Sequence, residues 1–216
     1  MDLLIFDLDG TLIDSQLDLA HSVNAMREHM GLARLSQETI ATYVGNGAPV
    51  LVRRALGDLA TDESVARGLE YFLDYYWHHL LDYTTLYPGV REALDAFHSQ
   101  SIAMAVLTNK PIRFSEAIVD GLGLRPYFFR VYGGNSFELK KPDPYGIHRL
   151  MDERGAAPHR TMMIGDSAID IRTARNAGVK ACGVTYGFQP ETLEADPPDI
   201  LLDNLALLPD LLLGAS

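Results

Sequence analysis

The chain has 216 residues, enough for one α/β domain of about 150 residues and a smaller insertion. Its 47% hydrophobic and 22% charged residues, without any low-complexity tract, exclude a disordered chain and are ordinary for a globular protein. Twenty-nine acidic residues against 14 arginines and four lysines give a net charge of −11, which disfavours nucleic acid and anionic membrane surfaces as partners.

No apolar run approaches the roughly 18 residues that span a bilayer. The short apolar N-terminal run is flanked by Asp2 and Asp7, not by basic residues. Neither a signal peptide nor a membrane segment is expected. The single cysteine, Cys182, cannot form an internal disulfide and fits a cytoplasmic protein; within Ala181-Cys182-Gly183-Val184 it is expected to be a small core residue.

The first element is a short buried strand, Leu3-Leu4-Ile5-Phe6, followed at once by Asp7-Leu8-Asp9-Gly10-Thr11. Two carboxylates two residues apart at a strand end repel each other unless a cation or a shared proton intervenes. A divalent metal is the evident remedy, although Asp-Gly is also an ordinary turn sequence.

From Ser15 to Tyr83 no second strand appears, and the pattern is helical. Ser15 with Asp18 has the spacing of a capping box, and Leu19, Val23, Met26 and Met30 form one apolar face. A second amphipathic segment, from about Asp62 to Leu81, carries Leu69, Phe72, Leu73, Tyr76 and Leu80. The block is expected to be an inserted helical lid over 15–83, with residues 1–14 and 84–216 as the core. Hinges are expected near Asp14 and between Tyr83 and Pro88.

Thereafter apolar segments alternate with helical ones: Ile102 to Leu107, Phe129 to Tyr132, Thr161 to Ile164, Lys180 to Val184 and Ile200 to Leu202. Continuous apolar strands of this kind belong to a parallel sheet covered on both faces. Pro111 begins one helix, which ends near Gly121 or Gly123. Asp143 caps another, with Pro144 in its first turn and Gly155 at its end. The expected fold is therefore α/β, a Rossmann-like doubly wound parallel sheet with an all-helical insertion.

Three further places carry polar chemistry. Thr108-Asn109-Lys110-Pro111 ends one strand at a helix start, a setting that suits either phosphate or a plain N-cap. Lys140-Lys141-Pro142-Asp143-Pro144 puts two of the four lysines in a rigid turn, facing either an anion or solvent. Gly165-Asp166-Ser167-Ala168-Ile169-Asp170 ends another strand with two more acids; Asp170 could equally serve the helix dipole. None of the seven histidines falls in such a place, and none shows metal-ligand spacing of its own.

Asp7-Leu8-Asp9-Gly10-Thr11, Thr108-Asn109, Lys141-Pro142 and Gly165-Asp166 with Asp170 resemble, in order, the four motifs of the haloacid dehalogenase superfamily. The helical insertion and Tyr43-Val44-Gly45-Asn46-Gly47 are similar to those of its phosphoglycolate phosphatase branch. The resemblance implies a phosphomonoester hydrolase with Asp7 as nucleophile and Asp9 as acid and base. It also implies Mg²⁺ held by Asp7, the carbonyl of Asp9 and Asp166, with Asp170 in support. Thr108, Asn109 and Lys141 would bind the phosphoryl oxygens. The implied partner is a small anionic phosphomonoester, with the chain a monomer or homodimer.

Other activities of the superfamily fit less well. A dehalogenase has no use for Asp9. A phosphonate hydrolase needs a lid lysine, and Asp14 to Tyr83 contains none. A sugar-phosphate mutase and a degenerate binding or regulatory member stay open as alternatives, as does another small phosphorylated metabolite as substrate. Selectivity is expected in the lid, where Gly45, Asn46 and Gly47 open a helix and Arg53 or Arg54 follows.

Overall fold

The computed structural model describes residues 1–214. β1 (Leu3–Phe6) is followed by β2 (Ile13–Asp14), α1 (Gln16–His29), α2 (Gln37–Ala41), α3 (Ala48–Leu56) and α4 (Asp62–His79). Then come β3 (Thr85–Leu86), α5 (Val90–Ser99), β4 (Ala103–Leu107), α6 (Ile112–Gly121), β5 (Arg130–Tyr132) and α7 (Tyr145–Arg154). The chain closes with β6 (Thr161–Gly165), α8 (Ala168–Ala177), β7 (Lys180–Val184), β8 (Ile200–Leu202) and α9 (Leu208–Leu213). It divides into two compact units, residues 1–14 with 86–216, and 15–85.

The larger unit is built on a six-stranded sheet in the order β5-β4-β1-β6-β7-β8, with every pairing parallel. β1 is central and all four of its side chains are fully buried. Successive residues face opposite sides of the sheet. Leu3 and Ile5 pack with Ile147 and Leu150 of α7 and Ile171 and Ala174 of α8. Phe6 faces the other way and meets Phe128 edge-on at 6.1 Å. Cys182 is a core residue whose thiol is pushed up to about 12 by burial.

The strand order decides where a ligand belongs. From β1 the chain winds outward through β4 to β5 on one side, and through β6, β7 and β8 on the other. The crevice at the carboxyl ends of β1, β4 and β6 is thus a topological switch point, where open α/β sheets bind ligands.

The smaller unit is all-helical. Leu19, Val23 and Met26 of α1 are buried, as are Val65, Phe72 and Tyr76 of α4. Gly68 lets the helices meet: a Cβ there would lie 3.2 Å from both Met26 Sδ and Val52 Cγ1. Two sequence expectations change here. Ser15 and Asp18 do not form a capping box. Asp18 is buried and instead accepts hydrogen bonds from Tyr83 N, Thr84 N and Thr84 Oγ1, stapling the first turn of α1 to the unit's last residues. Pro144 sits at the N-cap position of α7, not in its first turn, and Asp143 accepts from Tyr145 N at 2.9 Å.

Candidate active site

Phe6 of β1 is level with Val106 of β4 and Ile164 of β6. Asp7, Thr108 and Asp166 therefore leave adjacent strands within one or two residues of a common line. Their loops are then drawn together by small residues. Gly10 has φ +79°, where a side chain is strained, and a Cβ there would lie 2.3 Å from Asp166 Oδ2. At Gly165 a Cβ would lie 2.1 Å from Asp170 Cγ. Glycine at both positions admits the carboxylates that follow.

Asp7, Asp166 and Asp170 can each place one carboxylate oxygen within 4.8 Å of the others, and all three are buried. Lys141 Nζ donates to Asp170 Oδ1 at 2.6 Å and pairs with Asp7 Oδ1 at 2.9 Å. The latter approach is not aligned as a hydrogen bond, so buried Asp7 Oδ1 lacks a donor. Asp170 Oδ2 accepts from Ser167 N and Oγ at 3.2 and 2.8 Å. Asp170 thus reaches back to its own helix start and across to Lys141, beyond any role in the helix dipole.

Burial, opposed by Lys141 and reinforced by Asp170, raises the Asp7 carboxyl to about 6. Burial and the negative charges of Asp170 and Asp7 hold Asp166 well above the ordinary carboxylate range, against bonds from Phe188 N and Gln189 N. Lys141 is the converse: burial disfavours its charge, yet Asp170 and Asp7 outweigh burial and keep it protonated. These directions describe three crowded anions served by one ammonium group, an arrangement that a divalent cation relieves.

Asp9 stands apart. Its carboxylate is not among the three clustered acids and takes both oxygens to Lys110 Nζ, at 2.9 and 3.1 Å. With Lys110 counted, the four acids Asp7, Asp9, Asp166 and Asp170 face two ammonium groups, those of Lys141 and Lys110.

Thr108 and Asn109 are buried at the end of β4. Thr108 Oγ1 accepts from Lys110 N, and Asn109 Nδ2 donates to Lys141 O at 3.0 Å, tying two of the motif loops together. Thr108, Asn109 and Lys141 line one recess with Lys140, Phe137 and Leu139. In the helical unit, Gly45, Asn46 and Gly47 precede α3, with Gly47 at its N-cap (φ +88°). Arg53 is engaged there with Asp62 at 2.7 Å, and Arg54 with the carbonyl of Tyr43.

Two contributors were not anticipated from sequence. Lys110 follows Thr108-Asn109 directly and is one of only four lysines, which was the available signal. The segment after β7 gave none, yet Phe188 N donates to Asp166 Oδ2 at 2.7 Å, and Tyr186 Oη donates to Thr11 O at 2.9 Å.

Residues 4–184 match the model of the haloacid dehalogenase-like hydrolases. The chain belongs to that family. A phosphoglycolate phosphatase of Photobacterium profundum is 39% identical over 96% of this chain and 93% of its own length. One from Chromobacterium violaceum is 40% identical over 96% and 94%. Among solved structures, a predicted phosphoglycolate phosphatase from Haemophilus somnus 129pt superposes with a TM-score of 0.93. It is 33% identical, with 98% of this chain and 97% of that chain covered.

Proposed function

We propose that this family member is a cytoplasmic phosphoglycolate phosphatase, which hydrolyses 2-phosphoglycolate to glycolate and inorganic phosphate. The observation that carries the phosphatase chemistry is the separation of two carboxylates two residues apart. Asp7 belongs to the buried acidic cluster with Lys141, whereas Asp9 is held by Lys110 outside it. The names of the Photobacterium and Chromobacterium relatives support the choice of substrate.

Asp7 attacks phosphorus and forms an aspartyl-phosphate as the ester P–O bond breaks. Asp9 gives its proton to the departing alkoxide. It then takes a proton from the water that hydrolyses the acyl phosphate and returns Asp7 to the carboxylate. Thr108, the Asn109 backbone and Lys141 hold the phosphoryl oxygens. Mg²⁺ would be held by Asp7, the carbonyl of Asp9 and Asp166, with Asp170 in support, and would supply the positive charge that lets two anions meet. Asp7, raised to about 6, is mostly ionised at neutral pH, as a nucleophile must be.

The helical unit is assigned the role of lid. Gly45, Asn46 and Gly47 at the start of α3 are proposed to receive the glycolate carboxylate; Arg53 would have to leave Asp62 to take part. The test is phosphate release from 2-phosphoglycolate against a panel of sugar phosphates and nucleotides with Mg²⁺. Its kcat/KM should lead by about tenfold or more. Equal rates across the panel would remove the substrate assignment while leaving the phosphatase one. Asp7→Asn and Asp9→Asn retaining wild-type rates would remove both.

A further inference from the structure

The Asp9–Lys110 pair is built as carefully as the acidic cluster beside it. The two side chains are 11% and 4% exposed, and the ammonium holds both carboxylate oxygens, at 2.9 and 3.1 Å. The Lys110 backbone is itself clamped. Its carbonyl accepts from Gly134 N at 2.8 Å and Ser115 Oγ at 3.3 Å, and its N–H donates to Thr108 Oγ1 at 3.2 Å. The underlying turn packs backbone closely on backbone: a Cβ at Gly133 would lie 2.4 Å from Ile112 N and 2.7 Å from Lys110 O, and one at Gly134 2.2 Å from Asn109 O. A buried ammonium on a fixed loop, more than 100 residues away in sequence, thus sets where the Asp9 carboxylate points.

We propose that Lys110 is a positioning residue for acid–base catalysis: it fixes the orientation of the Asp9 carboxylate, so that proton delivery to the leaving group depends on Lys110 although Lys110 itself transfers no proton. The assignment rests on the proton-donor role proposed for Asp9. It gives the second ammonium group of the site a task distinct from that of Lys141, which serves Asp7 and Asp170.

A positioning defect differs from a binding or folding defect in its dependence on the leaving group. An alkoxide must be protonated as it departs, whereas p-nitrophenolate leaves without help. In Lys110→Met, kcat/KM, which reports the phosphorylation of Asp7 and not the later hydrolysis common to both substrates, should fall about 10- to 100-fold for 2-phosphoglycolate and much less for p-nitrophenyl phosphate, and Lys110→Arg should recover part of the loss. Circular dichroism and the thermal midpoint establish that each variant is folded; if Lys110→Met is not, Lys110→Gln carries the same comparison. Equal losses on both substrates, or no loss on either, overturn the proposal. Asp9→Asn separates the two levels. If it shows the leaving-group dependence and Lys110→Met does not, only the positioning role fails. If Asp9→Asn shows none, the acid–base role of Asp9 fails and the positioning role with it.

Discussion

Lys141 donates to Asp170 across 2.6 Å in a pair that excludes solvent, the two side chains being 2% and 0% exposed. The same ammonium reaches Asp7 at 2.9 Å, so one cation holds an acid at the end of β1 and another in the first turn of α8. Removing it strands both carboxylates in a low-dielectric setting. Lys141→Ala should therefore lose about 3–5 kcal/mol of stability by urea titration, and activity should fall by a factor of about 10²–10³. Lys141→Arg should not restore activity, because a planar fork does not replace a point charge in a site of fixed dimensions. Wild-type stability in Lys141→Ala would contradict the burial argument.

The pH dependence of stability follows from Asp7. Its carboxyl binds a proton more tightly in the folded protein, at about 6, than at the ordinary value of 3.8. The folded state is thus favoured as pH falls through that window and loses about 3 kcal/mol as pH rises from about 4 to above 6. Asp7→Asn lacks this penalty. In metal-free buffer the variant should be the more stable protein at pH 7, and its advantage should fade by pH 4. A urea-midpoint difference that instead grows towards acid would show the sign to be wrong.

Metal should reverse the same cost. At about a hundredfold excess over Kd, Mg²⁺ should stabilise the protein by about 2.7 kcal/mol, a thermal-midpoint rise of about 5–10 °C for a chain of this length. Chelation with EDTA should abolish phosphate release. Asp166→Asn can still accept the Phe188 N–H but brings no charge, so the Mg²⁺ response should vanish while the fold persists. A thermal shift surviving in Asp166→Asn would remove Asp166 from the metal site.

Gly187 gives a subtler probe. A Cβ there would lie 2.2 Å from Asp166 Cβ and 2.4 Å from the carbonyl of Gly10, so Gly187→Ala must displace Asp166 or the loop beside it. Calorimetric Mg²⁺ titration should show affinity about 10- to 100-fold weaker, the size of effect expected when support for a ligand is disturbed. Unchanged affinity would mean that the loop yields before Asp166 does.

In the helical unit, Asp18→Ala leaves Tyr83 N, Thr84 N and Thr84 Oγ1 without their acceptor. The cost should be about 1–3 kcal/mol for each donor left without a partner, read as faster hydrogen exchange at the amides of residues 83 and 84. Protection equal to wild type would show that water replaces the carboxylate.

The strands were legible because a parallel sheet buried on both faces demands unbroken apolar runs, and all six lie within one or two residues of where those runs predict them. The strand-end acids were legible for the same reason: Asp7 and Asp166 interrupt that pattern where it ends. Less of the site's wiring was readable. Lys110 meets Asp9 across 101 positions and Phe188 meets Asp166 across 22, and no local periodicity encodes either distance. Asp18 shows the opposite error. Its spacing from Ser15 satisfies a local rule, but three donors 65 and 66 residues away offer its carboxylate more than one helix start does.

The amides of Phe188 and Gln189, which hold Asp166, lie 181 and 182 residues after Asp7. During synthesis Asp7 is among the first residues to leave the ribosome, and it waits for most of the chain before its setting is complete. A polypeptide stopped anywhere short of Phe188 has Asp7 but not the finished acidic cluster around it.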